Sequence, residues 1–370
     1  MCADIVIVGA GPVGLWTAIQ IKKRSPDIDI KIYERHSEYQ RSHVLKLEHL
    51  SMLLYGKNSH DKHEKAFLEE VTGKKLNQVF QAAASRDSLF IRTHDLEKAL
   101  KAYANSLGVN IANKKIDSPE DLEKTHPECK TFIASDGAHS TMRTSLMGEQ
   151  SVKDFPLQYV VELKYEAQGH AGKLSNKEVH KTNEKLSSMA FEYVGKEKNG
   201  LTPVSLRFFI DKETYESLPQ ASFKAPLKIQ DKGIPNNLSQ DIKTYIDMRK
   251  TKAGEHFLEG SEKISKLTLS LYKAKHFAIK SKNNKNWFLV GDAAMGVPYF
   301  RSLNAGMIIG SQLGFILTRK HLSDGNKIRS YNAVSPLDTT WEFTAARGKN
   351  MALKTYDKFL NVTRKLPWKK

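Results

Sequence analysis

At 370 residues the chain exceeds a typical single domain and has ample length to bury a core. Its 40% hydrophobic and 27% charged composition excludes a fibrous or disordered protein. Two cysteines, Cys2 and Cys129, exclude a disulfide framework and a four-cysteine zinc site, and they suit a reducing, cytoplasmic setting. The 58 Lys and Arg against 41 Asp and Glu leave a net charge of +17, which fits an acidic protein, an anionic surface or nucleic acid. The basic residues are scattered without aromatic interleaving, which argues against nucleic acid. A Lys- and Asn-rich coding bias would raise the charge equally well.

The chain opens on Asp4-Ile5-Val6-Ile7-Val8, a continuous apolar run suited to a strand buried on both faces. A glycine turn follows, then a helix over residues 15–23 and a second strand over 28–34. Together these make a βαβ unit. Helical periodicity recurs over 96–107 and stops at Gly108, with short strands at 109–111 and 131–134. Near residue 150 the texture changes to longer strands at 157–167, 189–194, 204–210 and 267–272. The polar stretch 169–188 reads as a loop or surface excursion. Trp287-Phe288-Leu289-Val290 returns to the buried-strand texture, followed by a helix over 304–317 and a helical C-terminal segment. The domains expected are a discontinuous Rossmann-like unit (1–150 and 275–335), a β-rich substrate domain (151–274) and a helical segment (336–370). No stretch of 18 uncharged apolar residues occurs, since the best one, 297–317, contains Arg301 and Asn304. The acid at Asp4 does not suit a secretory leader.

Gly9-Ala10-Gly11-Pro12-Val13-Gly14 lies between the first strand and the first helix. Its glycines permit a tight turn, approach of a pyrophosphate and close helix–strand packing. Glu34 ends the second strand 20 residues after Gly14, where a carboxylate can accept ribose hydroxyls. This unit does not distinguish FAD from NAD. Two later motifs do: Asp136-Gly137 after the strand at 131–134, and Gly291-Asp292 after the strand at 287–290.

In this order and spacing, the three motifs resemble those of the FAD-dependent monooxygenases of the p-hydroxybenzoate hydroxylase type. The resemblance implies that Asp292 binds the ribityl chain of FAD and that the Asp136 segment lies beside the pyrophosphate and the nicotinamide cofactor. Glu34-Arg35 with Arg41-Ser42-His43-Val44-Leu45 is similar to a stretch of the MICAL monooxygenases. Val297-Pro298-Tyr299-Phe300 with Asn304-Ala305-Gly306 resembles the flavin loop of kynurenine monooxygenase. Ile91-Arg92 matches an arginine that such proteins place before a helix near the dinucleotide. Arg35, Arg41, His43, Arg92, Asn304 and Ala305 therefore join the expected cofactor-binding residues, beside Gly9, Gly11, Pro12, Val13, Gly14, Glu34, Asp136, Gly291 and Asp292. One departure stands out. The resembling loops carry a Gly-x-Gly before the Asn-x-Gly, and here Arg301 stands where a glycine would approach the flavin. Arg301 is thus expected either at the pyrimidine edge of the ring or in solvent.

The resemblance implies NADPH or NADH as electron donor, O2 activation through a flavin C4a-hydroperoxide, and oxygenation of a substrate. That substrate would be a small aromatic compound or an acidic, actin-like protein. A non-hydroxylating FAD oxidoreductase and a catalytically impaired flavin-fold binding module are the alternatives. No catalytic acid or base is assigned, and no metal is expected. His60, Asp61, His63 and Glu64 read as a solvated helix face lacking a further ligand.

Overall fold

The computed structural model describes residues 3–37, 44–53, 62–195, 197–298 and 301–364. The chain divides into two compact units, Met1–Phe155 with Leu271–Ala346, and Pro156–Ser270 with Arg347–Lys370.

The first unit begins with β1 (Ile5–Val8), α1 (Pro12–Arg24), β2 (Ile30–Glu34) and β3 (Val44–Glu48). It continues through α2 (Lys62–Thr72), α3 (Leu76–Ala84), β4 (Ser88–Arg92), α4 (Thr93–Ser106) and β5 (Asn110–Asn113). Then come α5 (Pro119–Thr125), β6 (Thr131–Ala134) and α6 (Thr141–Met147). After β7 (Val152–Gln168), the second unit adds α7 (Asn176–Asn183), β8 (Met189–Val194), β9 (Leu201–Ile210), α8 (Lys212–Ser217), α9 (Asn236–Lys252), β10 (His256–Phe257) and β11 (Lys263–Ala274). The chain returns through β12 (Ala278–Lys280), β13 (Asn286–Leu289), β14 (Met295–Gly296), α10 (Ser302–Leu317) and α11 (Asp324–Arg364). Over its described residues, 336–364, the expected C-terminal segment is the distal part of this last helix, of which residues up to Ala346 fall in the first unit and those from Arg347 in the second.

The first unit's main sheet runs β12-β13-β6-β1-β2-β5, parallel except for β12. All four residues of β1 are buried, as the unbroken apolar run requires. The strand order reverses direction at β1, between β2 and β6. Parallel sheets of this type bind ligands outside the C-terminal ends of their strands at such a point. On one face α10 lays Gly306, Gly310 and Gly314 against α1. A Cβ at Gly310 would stand 2.5 Å from Thr17 Oγ1, and one at Gly314 3.0 Å from Gln20 Cβ. This line of small residues lets the two backbones approach closely, and Trp16 Nε1 donates to Ser311 Oγ across the contact at 2.9 Å.

In α2 the inner face is Glu64, Phe67, Leu68 and Val71, with the Phe67 ring stacked on Tyr103 of α4. Glu64, expected on a solvated face, is only 1% exposed and lies 3.7 Å from Lys23 Nζ. The helical period places it one turn before Phe67 and Leu68, so it is carried inward with them. His60 and Asp61 lie outside the described residues. Among the described residues no three His, Cys, Asp or Glu gather as a metal site needs, and no helix is long and apolar enough to cross a membrane.

The second unit is an antiparallel sheet in which β9 pairs with β7 and β8, and β10 pairs with β7. Burial alternates along the whole of β9. Thr202, Val204, Leu206, Phe208 and Ile210 face the core, which also takes Leu238, Ile242 and Tyr245 of α9. The stretch expected as a loop contains α7. Ser175 Oγ accepts from Glu178 N (3.3 Å) and Glu178 Oε2 accepts from Ser175 N (2.8 Å), a reciprocal cap that nucleates a polar helix.

Candidate functional site

The site lies in the first unit, where three chain segments meet at the N-terminus of α1. Gly9, at φ +102°, turns the chain out of β1 in a conformation that suits glycine. A Cβ there would stand 2.5 Å from the Ser135 carbonyl oxygen. Ser135, which follows β6, donates its hydroxyl to the carbonyls of Val8 (2.9 Å) and Gly9 (2.7 Å), so the Asp136 segment is tied directly to the glycine turn. On the other side Val13 wedges against Gly291 and Gly306. A Cβ on Gly306 would meet Val13 Cγ2 at 2.7 Å and Gly291 Cα at 3.1 Å. The three motifs, far apart in the chain, thus form one layer.

Gly11 is different from its neighbours. It is the N-cap of α1 with φ −67°, a conformation open to any residue, and a Cβ there would meet nothing within 4 Å. The open space lies at a helix N-terminus whose first backbone N–H groups have no intrahelical acceptor. Pro12, at the first helical position, has no N–H to satisfy. Glu34 closes the turn from the side: its Oε2 accepts from Ala10 N at 2.7 Å and its Oε1 from His36 N at 3.0 Å. An ionised carboxylate has about four acceptor positions, so two backbone donors leave capacity for hydroxyls. This set of donors, acceptor and cradle fits an adenine dinucleotide.

The remaining expected residues take several places. Arg35 is exposed after β2. Arg92 is the N-cap of α4 and pairs in register with Val44 of β3. Asp136 turns its carboxylate inward: Oδ1 accepts from Ser140 Oγ (2.5 Å) and Oδ2 from Met142 N (3.1 Å). Burial raises its pKa, opposed by these hydrogen bonds and by Arg143. Gly291 is buried with φ +63°, and Asp292 Oδ1 accepts from the Ser302 hydroxyl. Asn304 uses its amide on the scaffold. Its Oδ1 accepts from Glu48 N (2.8 Å) and Ser51 Oγ (2.9 Å), while its Nδ2 donates to Lys46 O (2.9 Å), tying α10 to β3. Ala305 is buried in the first turn of α10, and half-buried Arg301 is that helix's N-cap. Arg41 and His43 lie outside the described residues.

Two further residues come from the structure. Arg143, 6% exposed, donates to the carbonyls of Ala138 (3.0 Å), Asp292 (3.3 Å) and Ala293 (2.8 Å), and its guanidinium lies over the Tyr272 ring. Tyr272 Oη donates to the same Asp292 carbonyl at 2.9 Å. One cation therefore clamps the Asp-Gly segment to the Gly-Asp segment.

The second is Glu97 of α4, 8% exposed, with Oε2 buried and without a hydrogen-bond partner. Burial, and next the charge of Glu34, push its carboxyl up to about 8, with Lys101 opposing. A carboxyl raised in the folded state favours folding fully below its unfolded pKa of 4.5. That contribution is lost as pH rises from there through about 8. Glu97→Gln is expected to match the wild type in urea unfolding at about pH 4 and to exceed it at about pH 9. An equal difference at both pH values would exclude the assignment. The buried stripe Thr93, Glu97, Leu100, Ala104 has helical spacing, which is the signal by which sequence could have found it.

No protein-family model matches the chain, and no curated protein matches it. Solved structures do resemble it. OxyS anhydrotetracycline hydroxylase from Streptomyces rimosus is 16% identical at TM-score 0.60, over 98% of this chain and 72% of that one. The tetrameric form of 2-methyl-3-hydroxypyridine-5-carboxylic acid oxygenase is 13% identical at TM-score 0.58, over 96% and 93%. The Diels-Alderase PyrE3 of pyrroindomycin biosynthesis is 15% identical at TM-score 0.58, over 98% and 78%. At these identities the likeness is one of fold, and it spans both the Rossmann-like α/β unit and the β-sheet unit that interrupts it in this chain.

Proposed function

We propose that the chain binds FAD at the N-terminus of α1 and is an NAD(P)H-dependent flavin monooxygenase. The observation that carries this is the convergence of the three segments on Gly9, Val13 and Gly14 at the N-terminus of α1, where the Cβ position of Gly11 is open. The backbone donors of α1 would hold the pyrophosphate, Glu34 the ribose hydroxyls and Asp292 a ribityl hydroxyl. Arg143 acts on Asp292 indirectly, by fixing the carbonyls of Asp292 and Ala293. When bound, FAD supplies hydride acceptance from NADPH or NADH and activation of O2; the chain binds it, orients it and excludes water. The names of the fold neighbours that are a hydroxylase and an oxygenase support oxygenation, and the pyridine and anhydrotetracycline in those names favour a small aromatic substrate over an acidic protein.

A second reading, FAD binding without oxygenation, draws support from the Diels-Alderase on this fold and from Arg301 in place of a loop glycine.

The purified protein is expected to carry a flavin visible spectrum that NADPH or NADH bleaches in the absence of oxygen. Asp292→Ala should weaken FAD retention by about tenfold or more, taking a charged hydrogen bond at roughly 1.5–3 kcal/mol. Tight binding of NAD with no uptake of FAD would overturn the proposal. Label from 18O2 in a product, or its absence, separates the two readings.

A further inference from the structure

We propose that the outer face of the distal part of α11, with the adjoining surface of α7, is a docking surface for an anionic membrane. Residues 347–370 carry eight Lys and Arg against one acid, Asp357. In the described part of this stretch, Arg347, Met351, Lys354 and Lys358 follow at intervals of four, three and four residues. That spacing aligns them along one exposed stripe of the helix. Met351 is 70% exposed and Phe359, beside the stripe, 54%. Asn350 and Leu360 face inward, so the helix is anchored by its other side.

Tyr356 and Phe359 are held against α7 by specific contacts. Tyr356 Oη hydrogen-bonds His180 Nδ1 of α7 at 2.7 Å, and the Phe359 ring stacks on the same imidazole at 6.4 Å between centroids. This contact brings α7, with exposed Lys177 and Lys181 and the acids Glu178 and Glu184, to the edge of the patch. Lys252, at the end of α9, adds a further positive charge near Glu178. The patch thus has protruding apolar side chains flanked by lysines.

That chemistry selects among acidic partners. A protruding thioether and phenyl on a convex helix suit a deformable lipid surface, into which they insert while the lysines meet headgroup charge. A folded acidic protein would need a matching groove. A nucleic-acid strand would need a row of stacking rings, and among the described residues of this face one phenyl projects. The inference is independent of the FAD reading.

Co-sedimentation with phosphatidylcholine vesicles, with and without phosphatidylserine, tests it on the full chain. Binding is expected to the phosphatidylserine vesicles, at least about tenfold tighter than to phosphatidylcholine alone, and to weaken as salt is raised. Lys354→Glu with Lys358→Glu, and separately Met351→Asp with Phe359→Asp, should each lower it at least about tenfold with unchanged thermal unfolding. Equal binding to both vesicles, no binding to either, or binding that neither variant weakens would overturn the proposal. So would tighter binding to polyglutamate or to single-stranded DNA than to the vesicles.

Discussion

Gly14→Ala is expected to damage the fold, whereas Gly11→Ala is expected to damage only ligand binding. At Gly14 a Cβ would stand 2.2 Å from the Gly9 carbonyl oxygen and 2.4 Å from Ser135 Oγ. The first of these is backbone, pinned by the Ser135 hydroxyl at 2.7 Å, and cannot swing aside. Forcing a methyl there means moving the glycine turn away from α1, and overpacking of this kind costs about 1–3 kcal/mol or more. At Gly11 the backbone already has a conformation open to alanine and the space beyond Cα is clear, so unfolding should shift by no more than about 0.5 kcal/mol. The same methyl would stand where a pyrophosphate has to approach the helix N-terminus, so FAD affinity should fall at least about tenfold, or ~1.4 kcal/mol. Urea unfolding of the ligand-free proteins and FAD titration measure the two effects separately. If Gly11→Ala binds FAD like the wild type, the pyrophosphate does not lie against Gly11 and the proposed site is misplaced.

How far the sequence discloses this architecture depends on whether a feature is local. The buried run of β1, the glycine turn and the β2 carboxylate are contiguous patterns, and the structure has them where the patterns lie. Residues 169–188 hold two local signals that conflict. Ser175 and Glu178 have capping-box spacing before a helix in which Val179 is the one apolar residue, so composition points to a loop while the cap points to a helix. The glycine line Gly306, Gly310, Gly314 is likewise a regular spacing, but its meaning depends on which helix it faces. Side-chain direction is the harder problem. Asp136 and Asn304 fall in cofactor motifs, yet their polar atoms hold α6 and β3, because a short polar side chain beside a helix start bonds nearby backbone as readily as a ligand. Arg143 and Glu97 gain their significance from partners distant in sequence, Asp292 and Glu34 respectively. Helical spacing marks Glu97 as buried, but no spacing rule encodes either pairing.

Arg249 is the residue whose loss should most harm the second unit. It is fully buried at the end of α9, donating from Nε to Glu255 Oε2 at 2.9 Å, from Nη2 to Glu255 and to Gly172 O (3.0 Å), and from Nη1 to Glu192. Tyr165 Oη donates to the other oxygen of Glu255 at 2.6 Å, and Glu192 Oε1 accepts from Leu174 N at 2.7 Å. One guanidinium thus serves two buried carboxylates and links α9 to β8, to the segment after α9 and to the turn that follows β7. Arg249→Met keeps much of the volume but leaves both carboxylates without a cation. Breaking a buried pair from one side costs about 3–5 kcal/mol, read as a fall in the urea midpoint. Arg249→Lys should recover only part of it, since an ammonium cannot fork to both acids. Acidification distinguishes charge from packing: protons taken up by the stranded carboxylates should narrow the gap between variant and wild type as pH falls. A deficit of the same size at pH 5 and pH 8 would instead identify Arg249 as a space-filling residue.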